Sequence, residues 1–159
     1  MKILPSLTDS FPSSKTPEEI CAILQSVTAS PKLRFFQSCN EEFIGDVTPS
    51  DFRITGKISY RNSFLPRIVG TISPDGYGSR ITIKMRLHPF VSVFCSIWLG
   101  FVALFFLFGL LFSFTDGFSQ AWPLPVSSAG MFAFAQVLIR LGFFLPARKA
   151  QRRIRELIQ

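Results

Sequence analysis

The sequence predicts an α+β fold: a small antiparallel sheet with one covering helix, followed by a two-helix transmembrane hairpin and a basic C-terminal helix. Three observations predict it. Short β-branched segments separated by turn signals fill much of the first half of the chain. Two apolar runs of about bilayer-spanning length follow. A cluster of arginines lies near the C-terminus, and 159 residues suffice for one small domain plus an anchor.

The N-terminal segment, residues 1–15, is rich in Ser and Pro and lacks the apolar core of a secretory signal. We therefore expect a flexible leader and a cytoplasmic N-terminal half. The next segment, residues 16–89, is the predicted cytoplasmic α+β domain. It opens with a capping box, in which Thr16 is the N-cap and Glu19 the third helical residue, and Pro17 fits the first helical position. Apolar residues then recur at helical spacing until the helix is expected to end near Ser30.

The remainder of this domain predicts four or five strands joined by short turns. The clearest strand is "SRITIKMRL" (residues 79–87), which alternates apolar and polar side chains. Its apolar residues face the sheet core, and Arg80, Lys84 and Arg86 share the opposite, basic face. The segment "PDGYG" (residues 74–78) predicts the turn of a hairpin between the last two strands.

Two transmembrane helices are predicted over residues 90–112 and 126–146. The first run contains no charged residue and is long enough to cross a bilayer about 30 Å thick. Between them, residues 113–125 form the predicted extracytoplasmic loop, in which Trp122 suits an interfacial anchor. Small residues at the start of the second run, together with Gly100 and Gly109 in the first, permit a closely packed helical hairpin.

The distribution of Lys and Arg predicts the orientation of the spans. The loop has none, whereas basic residues precede the first span and follow the second in the predicted cytoplasmic tail helix, residues 147–159. The expected location is the cell membrane, as a multi-pass protein with both termini cytoplasmic. The residues expected at the membrane interface, against lipid headgroups, are Arg80, Lys84, Arg86, His88, Trp122, Arg148, Lys149, Arg152 and Arg153.

A lipid bilayer with anionic headgroups is the partner that this distribution predicts. The net charge of +7 calls for an anionic partner, and the basic residues flank the spans. No nucleic-acid-binding motif is present, so nucleic acid is not a predicted partner. A membrane-protein partner and a homo-oligomer are both left open.

Two polar residues interrupt the second span. Gln136 and Arg140 are four positions apart and share a helix face. Arg140 lies near the cytoplasmic end, where its side chain can extend to the headgroups. The alternative is that both residues line a polar pathway or an oligomer contact.

The sequence predicts no catalytic residue, cofactor or metal ligand. Its one histidine, His88, lies at the predicted membrane boundary, and the three cysteines lack ligand spacing. The adjacent acids Glu41 and Glu42 would face opposite sides of a strand and cannot act as a pair there. The tail helix has an apolar side, and two positions for it are open: along the inner leaflet or against the sheet.

The stretches "YRNSFLP" (residues 60–66) and "MRLHPF" (residues 85–90) lead into two spans and a basic tail. In this, residues 52–155 resemble small uncharacterised bacterial membrane proteins, in which a β-rich cytoplasmic part precedes a two-helix hairpin. The resemblance implies this architecture and no activity. The function we expect is that of a non-enzymatic accessory or interaction module anchored at the inner leaflet. The alternatives are a subunit of an oligomeric channel or transporter, with Gln136 and Arg140 on its path, and a membrane-bound enzyme.

Overall fold

The computed structural model describes residues 4–30, 41–58, 62–115 and 122–159. Within these ranges the chain forms a six-stranded mixed sheet and three helices, which confirms the predicted α+β class. The elements in chain order are β1 (Ser6–Ser13), α1 (Pro17–Ser26), β2 (Thr28–Ala29), β3 (Phe43–Val47), β4 (Asp51–Gly56), β5 (Arg67–Asp75), β6 (Gly78–Arg86), α2 (Pro89–Thr115) and α3 (Pro123–Ile158).

The chain divides into two compact units, which we describe separately. The sheet unit comprises Pro5–His88 together with Gly142–Gln159, and the helical unit consists mainly of Pro89–Leu141. The boundary of the second predicted span and the tail, placed between residues 146 and 147, therefore differs from the boundary of the units. Helix α3 itself runs through both positions without a break.

The sheet has the strand order β1-β6-β5-β4-β3-β2. Every described pairing is antiparallel except that of β2 with β3, which is parallel. β5 and β6 form the predicted hairpin, in which Asp75 pairs with Gly78 and Gly76 adopts a φ of 63°. That backbone conformation is strained for residues other than glycine, which explains Gly76 in the turn.

The prediction of a flexible leader over residues 1–15 is wrong for Ser6–Ser13. These residues form β1 and pair along the whole strand with β6, from Ser6 opposite Arg86 to Ser13 opposite Ser79. β1 is an edge strand, and an edge tolerates Pro12, which has no backbone N–H to donate.

The predicted capping box of α1 is confirmed. The Thr16 hydroxyl accepts a hydrogen bond from the Glu19 N–H at 3.3 Å, and the Glu19 carboxylate accepts one from the Thr16 N–H at 2.8 Å. The helix ends at Ser26, four residues earlier than expected, because the chain enters β2 at Thr28. Its Ile20, Cys21 and Leu24 are buried in the core.

The C-terminal part of α3 is a second covering helix for the sheet, which decides between the two positions considered for the tail. Its buried residues recur at helical spacing and form one continuous stripe. They are Phe143, Ala147, Ala150, Ile154 and Ile158. At the end of the helix, the Ile158 carbonyl accepts hydrogen bonds from Ser13 Oγ at 2.7 Å and Lys15 Nζ at 2.9 Å.

In the helical unit, α2 and the first part of α3 are long and apolar enough to cross a membrane by length and composition. Their mean hydropathies are 2.4 and 1.6 in the most apolar stretches. They approach closely where Gly109 faces Pro125, since a Cβ built on Gly109 would lie 2.8 Å from Pro125 Cδ. Gly100 and Gly130 have no such neighbour within 4 Å.

Candidate functional site

A cleft of about 620 Å³ opens in the sheet unit, beside the C-terminal part of α3. One wall is formed by the start of β3 and the end of β4, and another by the turn that precedes β5 and by α3. The lining residues are Glu41, Glu42, Phe43, Gly56, Lys57, Ile58, Leu65, Pro66, Leu145, Pro146, Lys149, Ala150 and Arg153. More than half of them are apolar or glycine, and the charged ones provide three cations and two carboxylates.

One cation and one carboxylate of the cleft form a bidentate ion pair. Arg153 donates to both Glu42 oxygens, with N–O distances of 2.7, 2.8 and 3.1 Å. Hydrogen bonding from Arg153 holds the pKa of Glu42 below its usual value, and the positive charges of Arg153 and Lys149 act in the same direction. The same pairing raises the pKa of Arg153. This ion pair fixes α3 to the residue that precedes β3.

The second carboxylate of the cleft is less completely satisfied. Glu41 Oε2 lies 4.0 Å from Lys57 Nζ, too far for a hydrogen bond. The same oxygen is buried and accepts no hydrogen bond from the described part of the chain. A buried acceptor without a donor is costly, so the cleft favours an occupant that brings an N–H or O–H group.

The position of α3 against the cleft depends on Pro146. A proline within a helix has no N–H for the carbonyl four residues earlier, here that of Gly142. Asn62 supplies the missing donor, with its Nδ2 3.0 Å from the Gly142 oxygen. Phe64 packs in the space that Gly142 leaves, since a Cβ there would lie 2.8 Å from Phe64 Cδ2. The turn before β5 is thereby held against α3.

The polar side chains that line the cleft are carboxylates, lysines and one arginine. Its lining residues include no Ser, Thr, Cys or His, so the described residues supply neither a hydroxyl or thiol nucleophile nor an imidazole base. Glu42 is engaged by Arg153. A lining of apolar and oppositely charged side chains fits an amphipathic molecule or peptide segment that carries a hydrogen-bond donor.

The structure places the predicted interface residues of β6 on the uncovered face of the sheet. Arg80, Lys84 and Arg86 are exposed there, and Arg80 pairs with Asp75 at 2.7 Å. His88 is exposed in the connection between β6 and α2. These residues do not line the cleft.

The predicted interface residues of α3 have different surroundings. Trp122 is exposed just before the helix begins, and Arg152 is exposed near its end. Arg148 lies over the ring of Phe144, 6.0 Å from its centroid. Lys149 and Arg153 line the cleft, and Arg153 is held in the ion pair with Glu42.

Gln136 and Arg140 do not share one environment, although they are four residues apart on α3. Arg140 is exposed, whereas Gln136 is partly buried and its Oε1 has no hydrogen-bond partner among the described residues. The side-chain oxygen of Gln136 is therefore an unsatisfied hydrogen-bond acceptor on a partly buried side of α3.

Sequence reasoning missed Asn62 and Phe64, which hold the turn before β5 against α3. Pro146 and Gly142, four residues apart in a helical segment, are a signal that a carbonyl needs an outside donor, although they do not say which residue provides it.

The comparisons with known proteins add no relative: no family model and no curated protein matches this chain. Among the described residues, no group of three or more His, Cys, Asp or Glu side chains lies together as a set of metal ligands.

Proposed function

We propose that this chain is an integral membrane protein that holds a small α+β domain at the cytoplasmic face of the cell membrane and acts there as a non-enzymatic accessory or interaction module. The observation that carries the proposal is the exposure of its two apolar helices. Only 17% of the most apolar stretch of α2 and 22% of that of α3 is buried. The core helix of a soluble protein would be mostly buried instead.

The exposed side chains of α2 are large and apolar on most of its circumference. Phe94, Phe101, Phe105 and Leu111 are each 58–62% exposed. A soluble monomer rarely exposes a continuous apolar surface of more than a few hundred Å². In a bilayer the same side chains lie among lipid tails, and the helical backbone satisfies its own hydrogen bonds.

The distribution of basic residues supports cytoplasmic termini. Lys84 and Arg86 precede α2, and Arg148, Lys149 and Arg152 follow the apolar part of α3, whereas residues 113–125 contain no Lys or Arg. Short segments rich in these residues remain on the cytoplasmic side. The cleft gives the domain a surface on which to bind a partner segment.

Alkaline carbonate extraction of membranes from expressing cells tests the anchoring. We expect the full chain to remain in the membrane pellet. As the matched comparison, a variant with Phe101, Phe105 and Leu111 each replaced by Asp should be released or degraded, because charges at the bilayer centre are costly. Release of the unmodified protein by carbonate would refute the anchoring.

Reporter fusions test the orientation. A reporter that is active only in the cytoplasm should work when fused after Gln159 and fail when fused within residues 113–125. The opposite pattern would overturn the proposed topology, although the anchoring would stand.

A second candidate, a subunit of an oligomeric channel or transporter, is favoured by one observation: the unsatisfied Oε1 of Gln136 beside the exposed Arg140. If both residues line a polar path, Arg140→Leu will change solute or ion flux in proteoliposomes, whereas Arg152→Leu, outside the apolar part of α3, will not. Unchanged flux in Arg140→Leu excludes this candidate.

A further inference from the structure

We propose that the uncovered face of the sheet carries a binding site for the headgroup phosphate of an anionic phospholipid, formed by Arg67, Lys84 and Arg86. The inference rests on the proposed function, because it requires the sheet unit to lie at a membrane. We call these three residues the cationic triad. They are distinct from the cleft, which lies on the face covered by α3.

The strand register brings the triad together. Arg67 of β5 is directly opposite Arg86 of β6, and directly opposed residues of antiparallel strands project from the same face about 5 Å apart. Lys84 is two residues before Arg86 on the same strand and so shares that face. All three residues are exposed, whereas the intervening Met85 is fully buried on the other face.

The triad lacks the acidic partners that neighbouring cations have. On the same face, Arg80 pairs with Asp75 at 2.7 Å and Arg53 lies 3.8 Å from Asp51. In the described part of the chain, no carboxylate lies within ion-pair distance of Arg67, Lys84 or Arg86. Two like charges directly opposite each other repel, and a bound anion would remove that repulsion.

Hydroxyl groups border the triad on both sides. Ser6 and Thr8 of β1 are opposite Arg86 and Lys84, and Thr55 of β4 is opposite Arg67. Guanidinium, ammonium and hydroxyl groups can all donate to phosphate oxygens, and Arg can do so with two parallel hydrogen bonds. The set therefore has the chemistry of a phosphate site.

Two observations favour a lipid phosphate over nucleic acid. Arg86 precedes the first residue of α2, Pro89, by only three residues, or at most about 10 Å of extended chain. The uncovered face also offers no ring for base stacking: its residues on the described strands β1, β4, β5 and β6 include no Phe, Tyr or Trp. These residues are Ser6, Thr8, Ser10, Pro12, Asp51, Arg53, Thr55, Arg67, Val69, Thr71, Ser73, Asp75, Gly78, Arg80, Thr82, Lys84 and Arg86.

Native mass spectrometry of the full chain in mild detergent tests the site, with phosphatidylglycerol and phosphatidylcholine titrated as probes. We expect the unmodified protein to bind phosphatidylglycerol more tightly than phosphatidylcholine. The double variant Arg67→Gln/Arg86→Gln should bind phosphatidylglycerol about thirtyfold more weakly, since each basic residue near anionic lipid contributes about fivefold. The matched control is Arg53→Gln/Arg80→Gln, which removes the same charge from the same face but from paired residues.

Circular dichroism of both double variants shows whether they fold. If Arg67→Gln/Arg86→Gln does not, the single variant Lys84→Gln replaces it, with a smaller expected loss. Equal phosphatidylglycerol binding in the triad variant and the unmodified protein would overturn the site, as would an equal loss in the control.

A labelled single-stranded RNA and inorganic phosphate serve as competing probes. Displacement of phosphatidylglycerol by RNA at lower concentration, with the same dependence on Arg67 and Arg86, would overturn lipid as the ligand in favour of nucleic acid. Equal affinity for inorganic phosphate would show a free-anion site instead. These outcomes leave the proposed function intact, because carbonate extraction tests it separately.

Discussion

At the residue scale, Asn62 and Pro146 are coupled through one carbonyl group. Pro146 leaves the Gly142 oxygen without its helical donor, and Asn62 Nδ2 takes that role at 3.0 Å. Asn62 Oδ1 also accepts from the Phe64 N–H at 2.9 Å, so the same side chain shapes the turn. A proline that would ordinarily weaken a helix here creates a contact between distant parts of the chain.

This coupling predicts a non-additive pair of substitutions. Asn62→Ala should lower the free energy of unfolding by about 1 kcal/mol or more, because it leaves the Gly142 carbonyl without a donor. In a Pro146→Ala background the loss should be smaller by about 0.5–1 kcal/mol, since residue 146 then donates within the helix. Denaturant unfolding of the two single variants and the double variant measures the coupling, with the exposed Ser63→Ala as control. Strict additivity would contradict it.

The Glu42–Arg153 ion pair predicts a pH dependence. Because the pKa of Glu42 is lowered in the folded state, its contribution to stability is complete above its ordinary value of 4.5 and is lost as the pH falls through the folded-state pKa. Thermal unfolding between pH 7 and pH 3 should therefore show the unmodified protein more stable than Glu42→Gln at neutral pH, and this advantage should vanish at the acid end. The pair is partly exposed, so the effect is small.

The control for this measurement is Asp51→Asn. Asp51 lies 3.8 Å from Arg53, too far for a hydrogen bond between the two side chains. An advantage of the unmodified protein over Glu42→Gln that stayed constant from pH 7 to pH 3 would show that the difference arises from shape and not from charge.

At the scale of elements, local patterns predicted those elements whose stabilising residues are close in sequence. The capping box of α1, the alternation of β6 and the β5–β6 hairpin were all visible in short stretches. β1 was not, because Asp9 occupies a core-facing position between Leu7 and Phe11 and breaks the apolar alternation. Its partners among the described residues are Gln151 and Arg155, each at 2.7 Å.

The pairing of α2 with α3 rests on a close approach at Gly109, and this predicts a contrast between two glycines. Gly109→Ala would put a Cβ 2.8 Å from Pro125 Cδ and 2.9 Å from Pro125 N, so the helices must separate. Gly100→Ala meets nothing within 4 Å and gains the better helix propensity of alanine. In detergent, the midpoint of thermal unfolding should fall for Gly109→Ala and stay equal or rise for Gly100→Ala. Equal effects would show that the approach at Gly109 is not a stabilising contact.

At the scale of the whole molecule, the two ends of the chain complete one domain. The sheet unit is complete only with Gly142–Gln159, which come after Pro89–Leu141 in the chain and pack on the sheet. The cleft likewise combines residues from Glu41 to Arg153. Such a site is invisible to local sequence patterns because its residues are about a hundred positions apart, and the apolar side of the tail was compatible with a membrane surface as well as with a sheet.

This arrangement predicts that anchoring and folding can be separated. Removal of residues 147–159 leaves both predicted spans in place but removes the cationic partners of Asp9 and Glu42 and uncovers the core that Ile154 and Ile158 cover. The shortened protein should still resist carbonate extraction. Limited proteolysis should cut its sheet unit at least tenfold faster than that of the full chain, because the whole unfolding free energy of a domain is only about 5–15 kcal/mol and the loss of a covering helix removes much of it.

Two point variants calibrate this rate. Ile154→Ala should give an intermediate rate, consistent with a cost of about 2–5 kcal/mol, and the exposed Arg152→Ala should match the unmodified protein. Proteolysis of the shortened protein at the unmodified rate would mean that the sheet folds without the tail, and loss of the shortened protein from the membrane would mean that the tail also contributes to anchoring.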